Sequence, residues 1–562
     1  MDRERHREFE SFEPRAYENE LASILRAVGA LPEVDSRSLD KILRANPKDG
    51  KGFFSRSELI AGVRALGDRH DFGLGERQLI GRLLRKPTRT WSGVAPVTVL
   101  TEPHPCPGKC VFCPSDEGMP KSYLASEPGA QRAVANSFDP FRQTWNRVVA
   151  LHRLGHAVDK VELLILGGTW TAYPQAYRVW FVRRCIDALN EVGDSRWDVR
   201  RGGDDGGAEW VAGAVDADWK RLVATQDRNR RARCRCVGLV VETRPDHVDE
   251  ESVVRMRRLG ATKVQLGIQS LSDDILRRNE RGHSVEQSRR AVRLLRRAGF
   301  KIHLHWMPNL VGATPESDTE DFGRLFGDES IRPDELKIYP CSLVRGTELM
   351  RLHSRGDWRP YSHEELMAVL VHALANTPEY CRVSRVVRDI PGNEIVAGST
   401  VTNLRQELDR RLIELGVETR EIRGREIRGG VYDARSIRRE RSFYGADACE
   451  EHFLQLTSDD GRLLAFLRMS LPWERGFIEE LGGAAIVREV HVYGAAARLH
   501  ENDGAKAQHS GLGRRLVEWA VKIARAEGYE RLAVISAVGT KEYYEKLGFE
   551  DGVLYQHWGR GG

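Results

Sequence analysis

The sequence predicts an α/β protein in which a partial parallel barrel is followed by a smaller α+β domain. Strand-like apolar runs alternate with helix-like ones between Pro96 and Pro340, a pattern typical of parallel β/α units with helical crossovers. Beyond residue 441, further strand-like runs surround a glycine turn and a long helix, and the first 90 residues hold short amphipathic helices. At 562 residues the chain is long enough for about three domains of roughly 150 residues each.

These patterns divide the chain into four parts with different expected structures. We expect a basic helical segment at 1–90 that would bind RNA, the partial barrel at 91–390 with an insert at 193–235, a charged connector at 391–441, and the C-terminal domain at 442–562. In the first part, Leu21, Ile24, Leu25 and Val28 recur at helical spacing, so they should form one buried face.

Six apolar segments of the second part read as parallel strands, with helical stretches such as Glu286–Ala298 between them. Residues 193–209 are rich in glycine and aspartate, which predicts a solvent-exposed loop or disordered insert. Six β/α units make a partial barrel, and in barrels of this kind the chemistry lies at the carboxyl ends of the strands. The predicted strands are Val97–Leu100, Val161–Leu166, Val237–Glu242, Lys263–Ile268, Lys301–Trp306 and Glu335–Tyr339.

Three cysteines follow the first predicted strand with Cys-x3-Cys-x2-Cys spacing: Cys106, Cys110 and Cys113. Three thiolates can bind a 4Fe-4S cluster and leave its fourth iron open for the amino and carboxylate groups of S-adenosyl-L-methionine. One electron passed to the sulfonium releases a 5′-deoxyadenosyl radical, which attacks unreactive C–H bonds. The cysteines are therefore the predicted metal ligands of a radical enzyme.

A zinc site and a disulfide framework are the other common uses of clustered cysteines. A zinc site usually needs four ligands, and His104 could supply the fourth. A disulfide framework is disfavoured because nine cysteines in 562 residues are few, the number is odd, and no signal peptide precedes them. The zinc alternative stays open on the sequence, and the strand-to-loop position favours the cluster.

Polar and glycine residues gather where the later strands end. A glycine pair lets a ligand approach the backbone closely, and the other strand ends carry carboxylate, amide and guanidinium groups. Because the carboxyl ends of parallel strands meet at one rim, these residues are candidates for holding S-adenosylmethionine. The candidates are Gly167, Gly168, Glu242, Arg244 and Gln269.

The C-terminal domain carries the pattern of a coenzyme A site. A turn of Gln-x-x-Gly-x-Gly form, from Gln508 to Gly513, opens the predicted helix Leu512–Glu527, and such a turn directs backbone N–H groups and the helix dipole at a pyrophosphate. A strand ending in Glu489–Tyr493 precedes the turn, and a helix with Tyr543 and Tyr544 follows it. The other predicted strands are His452–Thr457, Arg462–Leu471 and Leu532–Ser536, and the last helix is Lys541–Leu547.

Together these motifs resemble the catalytic subunit of Elongator, a family that joins a radical S-adenosylmethionine barrel to a Gcn5-like acetyltransferase domain. The resemblance extends from about residue 75 to the C-terminal end. It implies an enzyme that installs a carboxymethyl-type group on carbon 5 of the wobble uridine of tRNA. The motifs are the cysteine cluster, Gln131–Ala133, Asp159–Glu162, Gly167–Thr169, Glu242–Asp246, Arg388–Pro391, Arg488–Gly494 and Gln508–Gly513.

The resemblance also implies roles for individual residues. Lys160 resembles the family lysine that reaches acetyl-CoA, and Tyr543 would close over that ligand. The radical would remove hydrogen from the acetyl methyl group, the carbon radical would add to uridine C5, and thioester hydrolysis would leave the carboxymethyl product. The implied catalytic residues are Lys160, Tyr543 and Tyr544, and those along acetyl-CoA are Arg488, Glu489, Val490, His491, Gln508, Gly511, Leu512 and Gly513.

The expected partners are the anticodon stem-loop of tRNA and an external electron donor. Two acid-free basic runs, one with Trp91 beside it, suit phosphate contact and base stacking, although either run could be a solvated face. No apolar run is long enough to span a membrane and the N-terminus is charged, so we expect a cytoplasmic protein. Accompanying Elongator subunits stay an open question. The basic residues are Arg77, Arg82, Arg85, Lys86 and Arg89 in one run, and Arg228, Arg230, Arg231, Arg233 and Arg235 in the other.

The same motifs are compatible with two other functions, and the connector departs from the family pattern. The chain could acetylate protein lysines with a structural iron–sulfur cluster, or it could be an RNA-binding scaffold that hydrolyses acetyl-CoA when tRNA docks. Many relatives carry a Cys-x-Cys-x-x-Cys knot in the connector, whereas the matching stretch Thr419–Gly424 has no cysteine. Because Cys341 and Cys381 alone are too few for zinc, we predict no structural zinc.

Overall fold

The computed structural model describes residues 12–84, 90, 92–192, 197, 215–401, 403–427, 435–493 and 511–559. For residues 215–217 it describes the backbone only. Several sequence predictions lie outside these residues. They are the glycine-rich loop of the insert, the basic residues Arg85, Lys86 and Arg89 with Trp91, and Gln508 of the glycine turn.

Four helices form the N-terminal part, and they share an apolar core of their own. Leu21, Ile24, Leu25 and Val28 are fully buried, as their helical spacing predicts. A capping box stabilises the start of the third helix, because Ser55 and Glu58 each bond the other's backbone N–H. The helices are α1 (Glu18–Ala30), α2 (Ser36–Ala45), α3 (Arg56–Leu66) and α4 (Glu76–Leu83).

Arg82 of α4 has a structural role. Its guanidinium donates to the carbonyl oxygens of Val28 at 2.9 Å and Gly29 at 3.1 Å, and it also contacts the carbonyl of Leu31. These carbonyls end α1 without intrahelical partners, so Arg82 satisfies the end of that helix. This arginine of the predicted basic run is thus engaged within the helical part.

The central sheet is parallel throughout and confirms the predicted partial barrel, with each of the six predicted strands in place. The sheet also contains a seventh strand, and its strands are arranged in the order β1-β2-β3-β4-β5-β6-β8. The first six are β1 (Ala95–Leu100), β2 (Lys160–Leu166), β3 (Arg235–Thr243), β4 (Lys263–Gln269), β5 (Lys301–Trp306) and β6 (Glu335–Ile338), followed by β7 (Leu343–Val344) and β8 (Arg382–Arg385).

The seventh strand of the barrel, β8, was missed by sequence reasoning. It has four residues and one apolar side chain, Val383, so it lacks the apolar run by which a buried parallel strand is recognised. Its pairing with β6 is set by the tertiary fold. Inward-facing side chains alternate along the strands, as in β2, where Lys160, Glu162 and Leu164 are half-buried and the residues between them are buried.

Helices cover the outer face of the sheet. In the predicted helix near Glu286, Ala291, Leu294 and Leu295 are buried against the sheet. The helices from the barrel are α5 (Pro128–Ala135), α6 (Pro140–Arg153), α7 (Gln175–Val192), α8 (Val215–Asn229), α9 (Glu250–Arg258), α10 (Asp273–Arg278), α11 (Val285–Arg297), α12 (Pro315–Gly327), α13 (Leu349–Ser354) and α14 (His363–Ala375).

The connector contains the short strand β9 (Ile395–Ala397), which pairs with β7, and two helices, α15 (Leu404–Glu414) and α16 (Ile422–Arg425). The predicted connector also includes a strand of the C-terminal sheet, β10 (Arg438–Ala446). Its first four residues are charged and exposed, as an edge strand permits, which is why the sequence pattern indicated a connector.

The C-terminal domain is a mixed sheet in the order β10-β11-β12-β13-β14-β16-β15, with one long helix packed on it. This architecture confirms the predicted α+β domain. Its remaining elements are β11 (Cys449–Thr457), β12 (Leu463–Pro472), β13 (Ala484–Val492), α17 (Leu512–Ala526), β14 (Arg531–Val534), α18 (Lys541–Glu545), β15 (Glu550–Asp551) and β16 (Gln556–Trp558).

The C-terminal domain packs against the end of the barrel where the strands begin. Buried Arg257 donates to the carbonyls of Ser536 at 2.7 Å and Leu554 at 2.9 Å, on the far side of the interface. At Gly539 a Cβ atom would lie 2.6 Å from the Cβ of Arg235, the first residue of β3, so glycine permits this close approach. One continuous apolar core runs through both parts.

Candidate functional site

The three cysteines lie together on the loop that follows β1, and all three line one large cavity of about 1930 Å³. Their thiols are free of disulfides. The loop is ordered by its own backbone, since the N–H of Cys113 bonds the carbonyl of Cys110 at 3.1 Å and the N–H of Gly108 points at the sulfur of Cys106 at 3.4 Å. His104, the alternative fourth zinc ligand, packs its ring against Tyr173 with the centroids 4.6 Å apart.

Two arginines direct positive charge at the cysteine sulfurs. Arg281 Nη1 lies 2.9 Å from Cys110 Sγ, and Arg244 Nη1 lies 4.0 Å from the same atom. Asp246 holds the Arg244 guanidinium through contacts of 2.9 and 2.8 Å. Burial, reinforced by Cys110, raises the pKa of the Cys113 thiol to about 11. Three thiols on one loop, with two guanidinium groups at Cys110, fit an anionic cluster whose binding would deprotonate the thiols.

Sequence reasoning missed Arg281. It follows α10 and lies 171 residues from Cys110, so the pairing depends on the barrel bringing distant segments together. Its second amino group donates to the carbonyl of Gly267 at 2.7 Å, which fixes the guanidinium against β4. A sequence signal for this role is weak, since arginine is common throughout this chain.

The predicted S-adenosylmethionine residues lie at the carboxyl ends of neighbouring strands, around the cysteine loop. Gly168 has φ of 99° and lines the cavity, and at Gly167 a Cβ atom would lie 1.8 Å from Thr101 Oγ1. Gln269 also has a left-handed backbone, with φ of 68°, and its buried Oε1 has no hydrogen-bond partner among the described residues. Gly168 and the unpartnered Oε1 of Gln269 therefore offer a backbone and an amide group to the cavity, whereas Gly167 packs closely against Thr101.

Glu242 supplies a carboxylate at the same rim. Burial raises the pKa of its carboxyl, against the lowering effect of Lys337 and Arg388. The hydroxyl of Tyr123 lies 3.4 Å from one carboxylate oxygen, and His305 Nδ1 lies 3.9 Å from the other. Acceptors of this kind suit the cationic amino group of S-adenosylmethionine, so the residues present fit the predicted ligand.

The opposite end of the cavity is built by the C-terminal domain. Strand β14 pairs with β13 over Ala484–Val487 alone, so the following residues of β13 separate from it and border an opening. Glu489, Val490 and His491 of that segment line the cavity. A splayed strand pair of this kind leaves backbone groups free to bond an extended ligand.

Each of these β13 residues is held by its neighbours. Glu489 pairs with Lys301 of β5 at 2.5 Å and with Arg468 at 2.9 Å. The ring of His491 stacks on Phe466 with centroids 5.6 Å apart, and burial lowers the pKa of His491 to about 3, so its imidazole is neutral near pH 7. His491 Nε2 has no partner among the described residues and lies at the cavity wall.

The glycine turn meets Tyr543 closely. Gly511 is the N-cap of α17, and Leu512 and Gly513 open the helix. A Cβ atom at Gly513 would lie 2.5 Å from the hydroxyl of Tyr543, so this ring occupies the space that a side chain would fill. Burial raises the pKa of Tyr543 to about 12, and its hydroxyl has no partner within the described chain. Tyr544 is buried and packs edge-on against Tyr543 at 5.1 Å.

Arg488 also lines the cavity, but its guanidinium is bound by carboxylates of both parts of the molecule. The pairing of β12 with β13 shifts register there, because Arg468 faces Glu489 while Met469 faces Val487, which leaves Arg488 as the extra residue of a bulge. Its fully buried guanidinium forms two bonds of 2.7 Å with Asp334 of the barrel and two with Glu451, at 3.0 and 2.7 Å. Arg488 therefore joins the two parts of the molecule.

Lys160 lies at the junction of the two parts. It is the first residue of β2, is half-buried, and lines the same cavity as Tyr543 and the cysteines. Burial lowers the pKa of Lys160, with Asp159 opposing that effect. The barrel thus places a lysine at the mouth that faces the C-terminal domain, where an anionic ligand group would meet it.

The second predicted basic run meets the C-terminal domain. Arg230 contacts Glu545 and pairs with Asp551 at 2.7 Å, and Arg231 pairs with Glu542 at 2.7 Å. These arginines are occupied by carboxylates of α18 and β15. The structure therefore places Arg230 and Arg231 between the domains, whereas Arg228 and Arg233 of the same run are exposed and the Arg231 side chain is itself 84% exposed.

Comparison with known proteins follows the same division of the chain. The Radical SAM superfamily matches residues 104–322, the Radical_SAM C-terminal domain matches 333–414, and the Acetyltransferase (GNAT) family matches 418–549. The tRNA uridine(34) acetyltransferase of Methanocaldococcus infernus is 38% identical over 489 residues, which cover 84% of this chain and 86% of the relative. Elongator complex protein 3 of Mus musculus is 37% identical over a stretch that covers 84% of this chain and 85% of the relative.

The chain belongs to the Elongator complex protein 3 family. The solved structure of archaeal Methanocaldococcus infernus Elp3 with an N-terminal deletion has a TM-score of 0.69 to it, at 34% identity, and covers 83% of this chain and 99% of that one. The radical SAM match implies a 4Fe-4S cluster and S-adenosylmethionine, and the GNAT match implies acetyl-CoA. Membership confirms the resemblance on which the cofactor predictions were based.

Residues from both predicted sets border one cavity, although Gly167, Gly511 and Leu512 are not among its lining residues and Gln508 lies outside the described residues. The cysteines and the strand ends lie at one end of the barrel, and β13, α17 and Tyr543 lie at the other. The barrel interior joins the two ends.

Proposed function

We propose that this protein modifies uridine 34 of tRNA, taking a two-carbon unit from acetyl-CoA and using S-adenosylmethionine to activate it. One observation carries the proposal: the three cysteines and the acetyltransferase opening line the same cavity. Relatives that match most of the chain are named tRNA uridine(34) acetyltransferase. The product we expect is a 5-carboxymethyl-type uridine.

The net reaction balances without a consumed reductant. A methyl C–H bond of acetyl-CoA and the C5–H bond of uridine break, a carbon–carbon bond forms, and water cleaves the thioester to a carboxylate and free coenzyme A. The methyl hydrogen leaves on 5′-deoxyadenosine beside free methionine, and the C5 hydrogen leaves as a proton. The electron that starts the reaction returns when the C5–C6 double bond is restored.

The residues at the cysteine end would bind and orient the radical source. Cys106, Cys110 and Cys113 would hold the cluster, which together with S-adenosylmethionine supplies hydrogen abstraction from an unreactive C–H bond. Arg281 would stabilise the negative charge on Cys110, which it already contacts at 2.9 Å. Glu242 and Gln269 would accept hydrogen bonds from the bound S-adenosylmethionine.

The residues at the other end would bind the acetyl donor. The N-terminus of α17, at Gly511–Gly513, would take the pyrophosphate, and Glu489–His491 would lie along the arm. Tyr543 would donate a hydrogen bond from its hydroxyl. Because burial raises the pKa of Tyr543 to about 12, this hydroxyl is protonated at neutral pH. Lys160 would meet an anionic group of the donor at the mouth of the barrel.

The tRNA would approach the carboxyl ends of the barrel strands with its anticodon base extruded. Within the described residues no helix is long and apolar enough to cross a membrane. An oxygen-sensitive cluster suits a reducing compartment, so we place the protein in the cytoplasm with an external electron donor. Binding of the tRNA by the basic N-terminal helices is part of the same proposal.

The decisive experiment is anaerobic incubation of the reconstituted protein with tRNA, S-adenosylmethionine, acetyl-CoA and dithionite, followed by mass spectrometry of the nucleosides. We expect a 5-carboxymethyl-type uridine that disappears in the Cys110→Ser variant. A protein lysine acetyltransferase would instead transfer acetyl without S-adenosylmethionine and would keep that activity in Cys110→Ser. Loss of all uridine product from protein with a verified cluster would reject the proposal.

A further inference from the structure

The cavity extends along the inside of the barrel from one end of its strands to the other. On β5 the inward residues Lys301, His303 and His305 line it in succession, and Met307 follows at the carboxyl end. Six residues of extended strand span about 20 Å at roughly 3.3 Å each. The distance between the two predicted cofactor ends is therefore bridged by the barrel interior.

The wall at the acetyltransferase end carries paired charges. Lys263 bonds Glu162 at 2.7 Å and Glu335 at 3.2 Å, while Lys301 bonds Glu335 at 2.7 Å and Glu489 at 2.5 Å. Each of these lysines lies between two carboxylates, and the charges largely cancel. This part of the mouth, with its charges compensated, admits an uncharged chain more readily than a phosphate, whose oxygens would have to be desolvated, whereas Lys160 on the same cavity wall is the cation that would meet an anionic group.

Further along, buried polar atoms face the cavity without partners. Gln265 is fully buried and lines the wall. The Lys337 ammonium lies 2.5 Å from Oε1 of Gln265, and since an ammonium can only donate, this atom of the amide must be the oxygen. His305 lies 3.0 Å from the same atom. Its Nε2 then remains a buried donor with no partner among the described residues, as do Tyr543 OH and His491 Nε2 nearer the mouth. Such groups are costly unless a ligand bonds them.

We propose that the interior of the barrel is the binding passage for the pantetheine arm and acetyl group of acetyl-CoA. The arm is an uncharged chain with amide donors and acceptors, which matches both the compensated mouth and the unpartnered side chains. It would enter where the strands begin, while tRNA approaches where they end. This inference rests on the proposed function and adds a route to it.

Two half-buried wall residues allow the passage to be blocked. Thr98 of β1 and Leu164 of β2 are adjacent across the sheet and line the cavity between its two ends. Replacing either with tryptophan fills the interior at mid-length and leaves the cysteine loop and the glycine turn intact. Val223→Trp is the matched control. Val223 is exposed on α8, so this substitution adds the same ring outside the barrel.

Binding is measured first, on protein without the cluster, by calorimetry with acetyl-CoA and with 3′-phosphoadenosine 5′-diphosphate, which carries the head group with its pyrophosphate and no arm. Thr98→Trp and Leu164→Trp should weaken the binding of acetyl-CoA by about tenfold or more, which corresponds to about 1.4 kcal/mol of binding free energy. Neither variant should change the affinity for the head-group probe, and Val223→Trp should change neither affinity. A variant that fails to bind the head-group probe is replaced by the other.

Hydrogen transfer is measured next, with the reconstituted enzyme, dithionite and acetyl-CoA deuterated on its methyl group. In the native protein one deuterium should move to the 5′ carbon of 5′-deoxyadenosine as methionine is released. In the blocked variants total 5′-deoxyadenosine should persist while its deuterium content falls by about tenfold or more.

Unchanged acetyl-CoA affinity together with unchanged deuterium transfer in both blocked variants would overturn the passage. The arm would then reach the cysteine end through the lateral gap between β1 and β8, which are the two edges of the sheet. If the native protein itself transferred no deuterium and made no modified uridine, the proposed function would fail instead. The two failures are thus distinguished by the native control.

Discussion

At the residue scale, the contact between Arg281 and Cys110 sets the electrostatics of the predicted cluster. A cationic hydrogen-bond donor at a ligand sulfur stabilises the more negative, reduced state of an iron–sulfur cluster and so raises its reduction potential. The Arg281→Gln variant should therefore have a more negative cluster potential than the native protein. Redox titration followed by electron paramagnetic resonance measures the shift.

Arg277→Gln is the matched control for Arg281. Arg277 lies one turn earlier, with its side chain 74% exposed and turned to Asp274. The same substitution there should leave the potential unchanged. Equal potentials for native protein and Arg281→Gln would show that Arg281 does not influence the cluster.

The close approach of Gly513 and Tyr543 makes a second prediction at this scale. In Gly513→Ala the new Cβ atom would lie 2.5 Å from the Tyr543 hydroxyl, so the ring must move from its place beside α17. We expect about a tenfold loss of acetyl-CoA affinity by calorimetry. Gly323→Ala, in a helix where nothing lies within 4 Å of the added atom, should leave that affinity as it is.

At the scale of elements, a chain of buried ion pairs joins the barrel to β12 and β13. Burial opposes ionisation of Asp334, but Arg488 and then Arg468 outweigh it and hold the pKa of this carboxyl well below its usual value. Removing one partner leaves the others buried and uncompensated. Asp334→Asn should lower the free energy of unfolding by about 3–5 kcal/mol at pH 7, measured by urea denaturation.

The effect of Asp334 should depend on pH in a defined direction. Because its folded pKa is depressed, its stabilisation is complete above the unfolded value of about 3.9 and disappears as the pH falls toward the folded one. The difference between native protein and Asp334→Asn should therefore shrink below about pH 4. Asp459→Asn is the control, because that side chain is 63% exposed and lies 3.8 Å from Arg438. A pH-independent difference would mean that the charge of Asp334 is not the cause.

The loop between α8 and β3 leads to a prediction about RNA. Since Arg230 and Arg231 pair with carboxylates of the C-terminal domain, they should contribute little to phosphate binding. In the double variant Arg230→Gln and Arg231→Gln, the slope of log affinity for tRNA against log salt should stay within about half a unit of native. A slope smaller by about two units would show that both arginines bind phosphates.

Several elements could be predicted from the sequence because their signals are local. The alternating apolar runs identified the six barrel strands, and the glycine turn located α17. Strand β8 and strand β10 escaped because their pairing is fixed by neighbours distant in sequence and their side chains are largely polar. Arg488 illustrates the same limit, since its motif marks a functional strand while its partner, Asp334, lies 154 residues away.

At the scale of the whole molecule, the C-terminal domain and the barrel act as one body with one interior. Their apolar residues form a continuous core, and buried ion pairs cross the contact between them. The barrel strands begin at the proposed acetyl-donor site and end at the cysteines, so the same strands position both ends of the cavity. The arrangement suits a reaction in which an activated fragment never leaves the protein.

Mixing two complementary variants tests this arrangement. Cys110→Ser should lose S-adenosylmethionine cleavage and keep acetyl-CoA affinity, whereas Tyr543→Ala should lose acetyl-CoA affinity and keep cleavage. An equimolar mixture should still make no 5-carboxymethyl-type uridine, because each chain lacks one end of the shared cavity. Nucleoside mass spectrometry on the mixture, with native protein diluted twofold by either variant as the control, measures the outcome. Recovery of product in the mixture would show that an activated fragment passes between molecules, and the single-cavity arrangement would have no catalytic role.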